Sequence, residues 1–186
     1  MFPAPWEALP QFAAHDWPRH DGEQTLAEVA LKLCRVCRIE DGDILVGASL
    51  GGMVACEIAK IRKLDALFLI GSATGNQEVS RFLTVLHPLA DLAPFEWLQV
   101  SAGKFPGNVA RMWVSAEASF MRSMCKAVFK WDGLGTARVP HFRIHGRRDI
   151  VIPPPQRVDL LLDGGHLISM THAQECVEFV AAKLPG

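Results

Sequence analysis

The stretch Asp43-Ile44-Leu45-Val46-Gly47-Ala48-Ser49-Leu50-Gly51-Gly52-Met53-Val54 constrains this chain more than any other. The apolar run from Ile44 to Val46, bounded by Asp43 and Gly47, reads as a buried parallel strand. It passes directly into G-x-S-x-G, and then into a segment with Val54, Ile58 and Ile61 on one helical face. A strand that becomes a helix within so few residues must turn sharply at the serine, whose backbone angles are then strained. Gly47 and Gly51, two residues either side, are expected to remove side chains that would collide across that turn. Ser49 is the candidate nucleophile.

The rest of the chain sets the limits within which that serine works. At 186 residues it is long enough for one domain with a substantial core. A net charge of -1 gives no footprint for nucleic acid or an anionic membrane as partner. Its apolar runs are too short to span a membrane, and its start lacks the basic and apolar regions of a signal peptide. Five cysteines, an odd number without framework spacing, suit a reducing cytoplasm. Cys34-x-x-Cys37 falls inside a helical pattern with no second pair, so it reads as structural and no metal site is expected.

Periodicity gives the outline. Trp6, Leu9 and Phe12 suggest one face of a broken helix, followed by a short strand from Phe12 to His15. Thr25-Leu26-Ala27-Glu28 is a capping-box pattern, and Leu26, Val29, Ala30, Leu33 and Val36 continue it at helical spacing. Buried strands are expected at Asp65–Gly71, at His141–His145 and at Asp159–Leu162. Between the first two of these, residues 76–132 carry helical patterns and no strand, which reads as a helical lid inserted over the strand ends. Thr171-His172-Ala173-Gln174 looks like a second capping box, opening a last helix that buries Cys176, Val177, Val180 and Leu184. Alternating strands and helices make residues 1–186 a single α/β domain with a mostly parallel sheet.

In such a sheet, chemistry sits at the carboxyl ends of the strands. A serine hydroxyl needs a base to take its proton, and the base needs a carboxylate to fix its tautomer. His166, after a strand and on two glycines, is the candidate base, ahead of His145 and His172. His145 is expected to bond the backbone instead. Asp149, past the strand ending at His145, is the candidate acid; Asp163 and Asp132 are the alternatives, and pairing with Arg147 or Arg148 is its competing role.

Val46-Gly47-Ala48-Ser49-Leu50-Gly51-Gly52-Met53, Ile144-His145-Gly146-Arg147-Arg148-Asp149 and Gly164-Gly165-His166 together resemble the α/β-hydrolase superfamily, in particular its small lidded esterase and acyl-hydrolase branch. The resemblance covers roughly residues 5–184. It implies that Ser49, Asp149 and His166 are nucleophile, acid and base, and that the backbone N–H of Leu50 is one oxyanion donor. It implies a lid at residues 76–132, in which Met112, Trp113, Phe120 and Met124 are candidates to line an acyl pocket. The expected activity is hydrolysis of a small carboxylic ester or thioester through an acyl-enzyme, calling for no metal or organic cofactor.

One departure from the family's pattern is expected. The family begins with strands leading into a His-Gly or glycine-rich loop that supplies the second oxyanion N–H, and no such motif precedes Phe2. The expectation is a shortened start or a substitute donor, from Phe2 or the Ser72-to-Asn76 turn. Losing one donor costs on the order of 10²–10³ in rate. This keeps a rival function in view: a catalytically weak protein of the same fold that binds an apolar ligand or a partner. The sheet edge left beside the Ser49 strand is an expected place for homo-oligomer contacts.

Overall fold

The computed structural model describes residues 2, 4–80 and 118–184. Four strands form one sheet in the order β1 (Ile44–Ala48), β2 (Ala66–Ile70), β3 (His141–Gly146) and β4 (Leu160–Leu162). All three pairings are parallel, with Val46 beside Phe68, Phe68 beside Phe142 and His145 beside Leu161. The described helices are α1 (Leu26–Val36), α2 (Leu50–Ile61), α3 (Ala118–Lys130), α4 (Ile168–Thr171) and α5 (Ala173–Ala181). Short 3₁₀ turns occupy Ala4–Ala8 and Asn76–Glu78.

Alternation along β2 explains the layering. Successive strand side chains point to opposite faces. Leu67 and Leu69 enter one core with Val29, Ala30, Met53, Ile58, Met124 and Trp131, from α1, α2 and the α3 region. Ala66, Phe68 and Ile70 enter the other with Trp6, Ile144, Ile168, Cys176 and Val180. Both faces of β2 are covered, so all five of its residues are buried. That double burial is why the strand reads as an unbroken apolar run.

The first capping box forms as expected. Thr25 Oγ1 accepts from the Glu28 amide at 3.2 Å, and Glu28 Oε2 accepts from the Thr25 amide at 3.0 Å. The second does not. Thr171 lies in the last turn of α4, so its hydroxyl donates back to the Leu167 carbonyl at 3.2 Å and cannot cap α5. His172 takes the N-cap position without a side-chain cap. The expected strand at Phe12–His15 is also absent. Gln11 has φ +57°, which turns the chain, and the Phe12 ring packs against Trp6 and Phe2.

Of the segment expected as a lid, residues 81–117 lie outside the described residues, and Ala118–Lys130 form α3. The expected edge is present, since β1 has a partner on one side only among the described strands. Cys34 is buried on α1 and Cys37 is its C-cap; both thiols are free and burial raises both, the opposite of a reactive pair. No helix among the described residues is long and apolar enough to cross a membrane. Thr25→Ala should lower stability by about 1 kcal/mol, read as a shift in the urea midpoint with an unchanged slope.

Candidate active site

Ser49 follows β1 directly and opens α2, with φ 52° and ψ −124°. A non-glycine residue at positive φ is strained and persists only where its surroundings determine it. Here the Ser49 amide donates to the Ile70 carbonyl at 3.0 Å, and its own carbonyl accepts from the Gly52 amide at 3.0 Å. The turn is tight because two backbones nearly touch: a Cβ on Gly47 would lie 2.5 Å from the Gly52 Cα. A Cβ on Gly52 would in turn overlap the Ser72 side chain, whereas one on Gly51 would meet nothing within 4 Å. The expected pair, Gly47 and Gly51, is therefore corrected to Gly47 and Gly52, because α2 swings residue 52 back over β1.

Asp149 and His166 reach Ser49 from two turns fastened to each other. The Arg147 amide donates to the Leu162 carbonyl at 2.8 Å, and the Arg148 amide to the Gly164 carbonyl at 2.9 Å. Gly146 allows this approach, since a Cβ there would lie 2.6 Å from the Gly164 carbonyl oxygen. Asp149 Oδ1 accepts from the amides of Val151 at 2.9 Å and Ile152 at 3.0 Å. Those two bonds leave Oδ2 for His166 Nδ1, at 2.8 Å. The carboxylate can only accept, so Nδ1 carries the ring proton and Nε2 presents its lone pair. Ser49 Oγ lies 2.8 Å from Nε2 and donates to it. Carboxylate, imidazole and hydroxyl form one hydrogen-bonded line from buried Asp149 to a serine at a strand end.

The rival residues are occupied elsewhere. Asp163 is an exposed partner of Arg148 at 3.5 Å, and Asp132 is an exposed partner of Lys60 at 3.0 Å. His172 pairs with Thr171 Oγ1 at 2.9 Å. His145 bonds a backbone carbonyl, that of Ser72, at 3.1 Å. Leu50 is the first residue of α2, so its N–H has no intrahelical acceptor and sits at the positive end of the helix dipole. Of the substitute donors, Phe2 packs its ring against Trp6, and the Thr74 amide of the Ser72-to-Asn76 turn already donates to Glu78 at 2.8 Å.

Among the candidate pocket residues, Met112 and Trp113 lie outside the described residues. Phe120 and Met124 sit in the core that α3 shares with α1 and α2, and Phe120 lies against Trp17 at 5.1 Å between ring centres. Met124 is 1% exposed. Met124→Ala should destabilise the protein by about 2–5 kcal/mol, with the preference among acyl chain lengths unchanged. Urea unfolding and a series of ester substrates check the two halves of that statement.

An alpha/beta hydrolase family model matches residues 3–179. The chain belongs to that family. Among solved structures, it is similar to a hydrolase from Oleispira antarctica, with a TM-score of 0.68 at 14% identity over 87% of this chain and 73% of that one. An enol-lactonase from Burkholderia xenovorans gives 0.69 at 17% identity, over 85% and 72%. A thermophilic esterase from Thermogutta terrifontis gives 0.59 at 16%, over 87% and 72%. At these identities the likeness is one of fold. No curated protein matches the chain.

Behind the Ser49 turn of this alpha/beta hydrolase lies a buried polar group that periodicity did not single out. Arg143, on β3, donates to both carboxylate oxygens of Glu78 at 2.8 Å and to the Ser72 carbonyl at 3.1 Å. Burial alone would raise the Glu78 carboxyl, but Arg143 and the Thr74 amide hold it below the usual carboxylate range. The available signal was an arginine at a position in β3 where the strand pattern calls for an apolar residue. His145 beside it is fully buried, and burial together with Arg143 pushes its pKa down to about 4. It is therefore neutral, and Nε2 carries the proton it donates to Ser72.

That depression has a signed consequence. Unfolded, the imidazole titrates near its ordinary 6.5; folded, it titrates near 4. The unfolded chain binds the extra proton between these values, so stability from this group is complete above pH 6.5 and is lost as pH falls toward 4. The loss is on the order of 3 kcal/mol. In His145→Gln, whose amide can still reach Ser72, the fall in urea midpoint from pH 6.5 to pH 4 should be smaller than in wild type.

Proposed function

We propose that this chain is a serine hydrolase that cleaves a small carboxylic ester or thioester through an acyl-enzyme. The observation that carries the reading is the line Ser49 Oγ, His166 Nε2 and Nδ1, Asp149 Oδ2, with both links at 2.8 Å and the serine held at φ 52°. The names of the esterase and the enol-lactonase it resembles in fold point to carboxylic esters, open-chain or cyclic.

In this mechanism Ser49 Oγ attacks the carbonyl carbon while His166 Nε2 takes its proton. Asp149, hydrogen-bonded to Nδ1, steadies the imidazolium that forms. Charge accumulates on the carbonyl oxygen beside the Leu50 N–H, at the head of α2, where it is most needed. The intermediate collapses, the bond to the alkoxide or thiolate breaks, and His166 gives its proton to that leaving group. Water, activated by the same histidine, then adds to the acyl carbon and releases the acid and Ser49.

The test is covalent. A fluorophosphonate probe should label the folded protein stoichiometrically and not label Ser49→Ala. Asp149→Asn should retain the fold and reduce ester hydrolysis by roughly 10⁴-fold, since the amide favours the wrong tautomer. Folded wild-type protein that takes no label would favour the non-catalytic binding role over the enzyme. The cysteines do not confuse the readout at Cys56 and Cys176, whose thiols burial pushes up to about 12.

A further inference from the structure

We propose that Ser72 is a positioning residue for the oxyanion donor: its hydroxyl fixes the Ser49–Leu50 peptide so that the Leu50 N–H faces the reacting carbonyl. This rests on the acyl-enzyme reading of Ser49.

The geometry is specific. Ser72 Oγ donates to the Ser49 carbonyl oxygen at 2.7 Å. In a trans peptide that carbonyl and the Leu50 N–H are the two ends of one rigid plane and point in opposite directions. A bond that pulls the carbonyl toward β2 therefore aims the N–H out of the helix end, into the space beside Ser49 Oγ. The Gly52 and Met53 amides reach the same carbonyl at 3.0 and 3.4 Å, but both belong to α2 and move with it. Ser72 is the donor that ties the plane to a different element, the end of β2. It also polarises the peptide, which makes the N–H at its other end a better donor.

Ser72 is itself held at several points. It is fully buried, and its carbonyl accepts from His145 Nε2 at 3.1 Å and from an Arg143 guanidinium nitrogen at 3.1 Å. Its side chain rests on Gly52, where any Cβ would overlap it. The part-buried Arg143–Glu78 pair and the neutral His145 thus converge on one serine, and that serine's only described side-chain hydrogen bond goes to the peptide of Ser49. A positioning role accounts for Arg143, Glu78 and His145, whose described hydrogen bonds reach Ser49 only by way of Ser72.

The experiment pairs kinetics with a resonance that reports the peptide directly. Ser72→Ala should lower kcat and the rate constant for fluorophosphonate labelling by the same factor, about ten-fold, with KM changed less than two-fold. The pH profile should keep its shape, because His166 and Asp149 are untouched. In protein labelled with ¹⁵N-leucine, the Leu50 amide nitrogen should shift upfield in Ser72→Ala while the Leu33 resonance stays in place. Should that variant fold poorly, Ser72→Thr and Ser72→Val are compared instead. They match in size, and the threonine variant should be the faster by about ten-fold. An unmoved Leu50 resonance, or equal rates in either comparison, overturns the role. Failure of wild-type protein to take the probe overturns the acyl-enzyme reading first, and this role with it.

Discussion

The near contact between the backbones of Gly47 and Gly52 governs what the rest of this molecule can do. A strand can become a helix without a loop only if the helix's first turn folds back over the strand's last residues. There is no room for a side chain at that crossing. The close approach forces Ser49 to φ 52°, lifts its hydroxyl above the sheet end, and leaves the Leu50 N–H at the open end of α2. The strain is local, and the compensation comes from outside: the Ile70 carbonyl, Ser72, and the two apolar cores that clamp β2. The placement of Ser49 and of the Leu50 N–H follows from one pair of glycines.

Much of this was legible in the chain because it is encoded locally. The apolar run, the turn and the helical face occur in sequence order around Ser49. The order serine, aspartate, histidine with glycines at each turn pointed to Asp149 and His166, which the fold brings into one hydrogen-bonded line with Ser49, and the capping box at Thr25 needed four residues to read. What escaped depends on how the elements fold over one another, which a residue pattern does not show. Gly51 and Gly52 are indistinguishable in a pattern, and only the curl of α2 over β1 shows which one is crowded. Thr171 has capping-box spacing, yet it is already part of α4. Arg143, Glu78, His145 and Ser72 belong to separate segments that meet only once β2 and β3 are paired.

The electrostatic layout separates two kinds of buried polar group. Asp149 is buried with both its oxygens hydrogen-bonded, one to backbone amides and one to His166, so its carboxylate is fully partnered and fixed in direction. Arg143 and Glu78 neutralise each other at the back of the sheet, and His145 stays uncharged there. Pairs largely withdrawn from water in this way do little for net stability compared with apolar packing, so their value lies in geometry. They hold the end of β2 in one arrangement.

The line from Asp149 through His166 to Ser49 joins the ends of β1, β3 and β4, with β2 beneath it. Its two end residues, Ser49 and His166, stand 117 positions apart in the chain. Each parallel crossover must close before the three side chains meet, and these are long-range closures of the kind that slow folding. Recovery of probe reactivity during refolding would accordingly be the last event to appear, later than helix content or collapse. The hydrogen-bonded line is thus a clock for completion of the sheet.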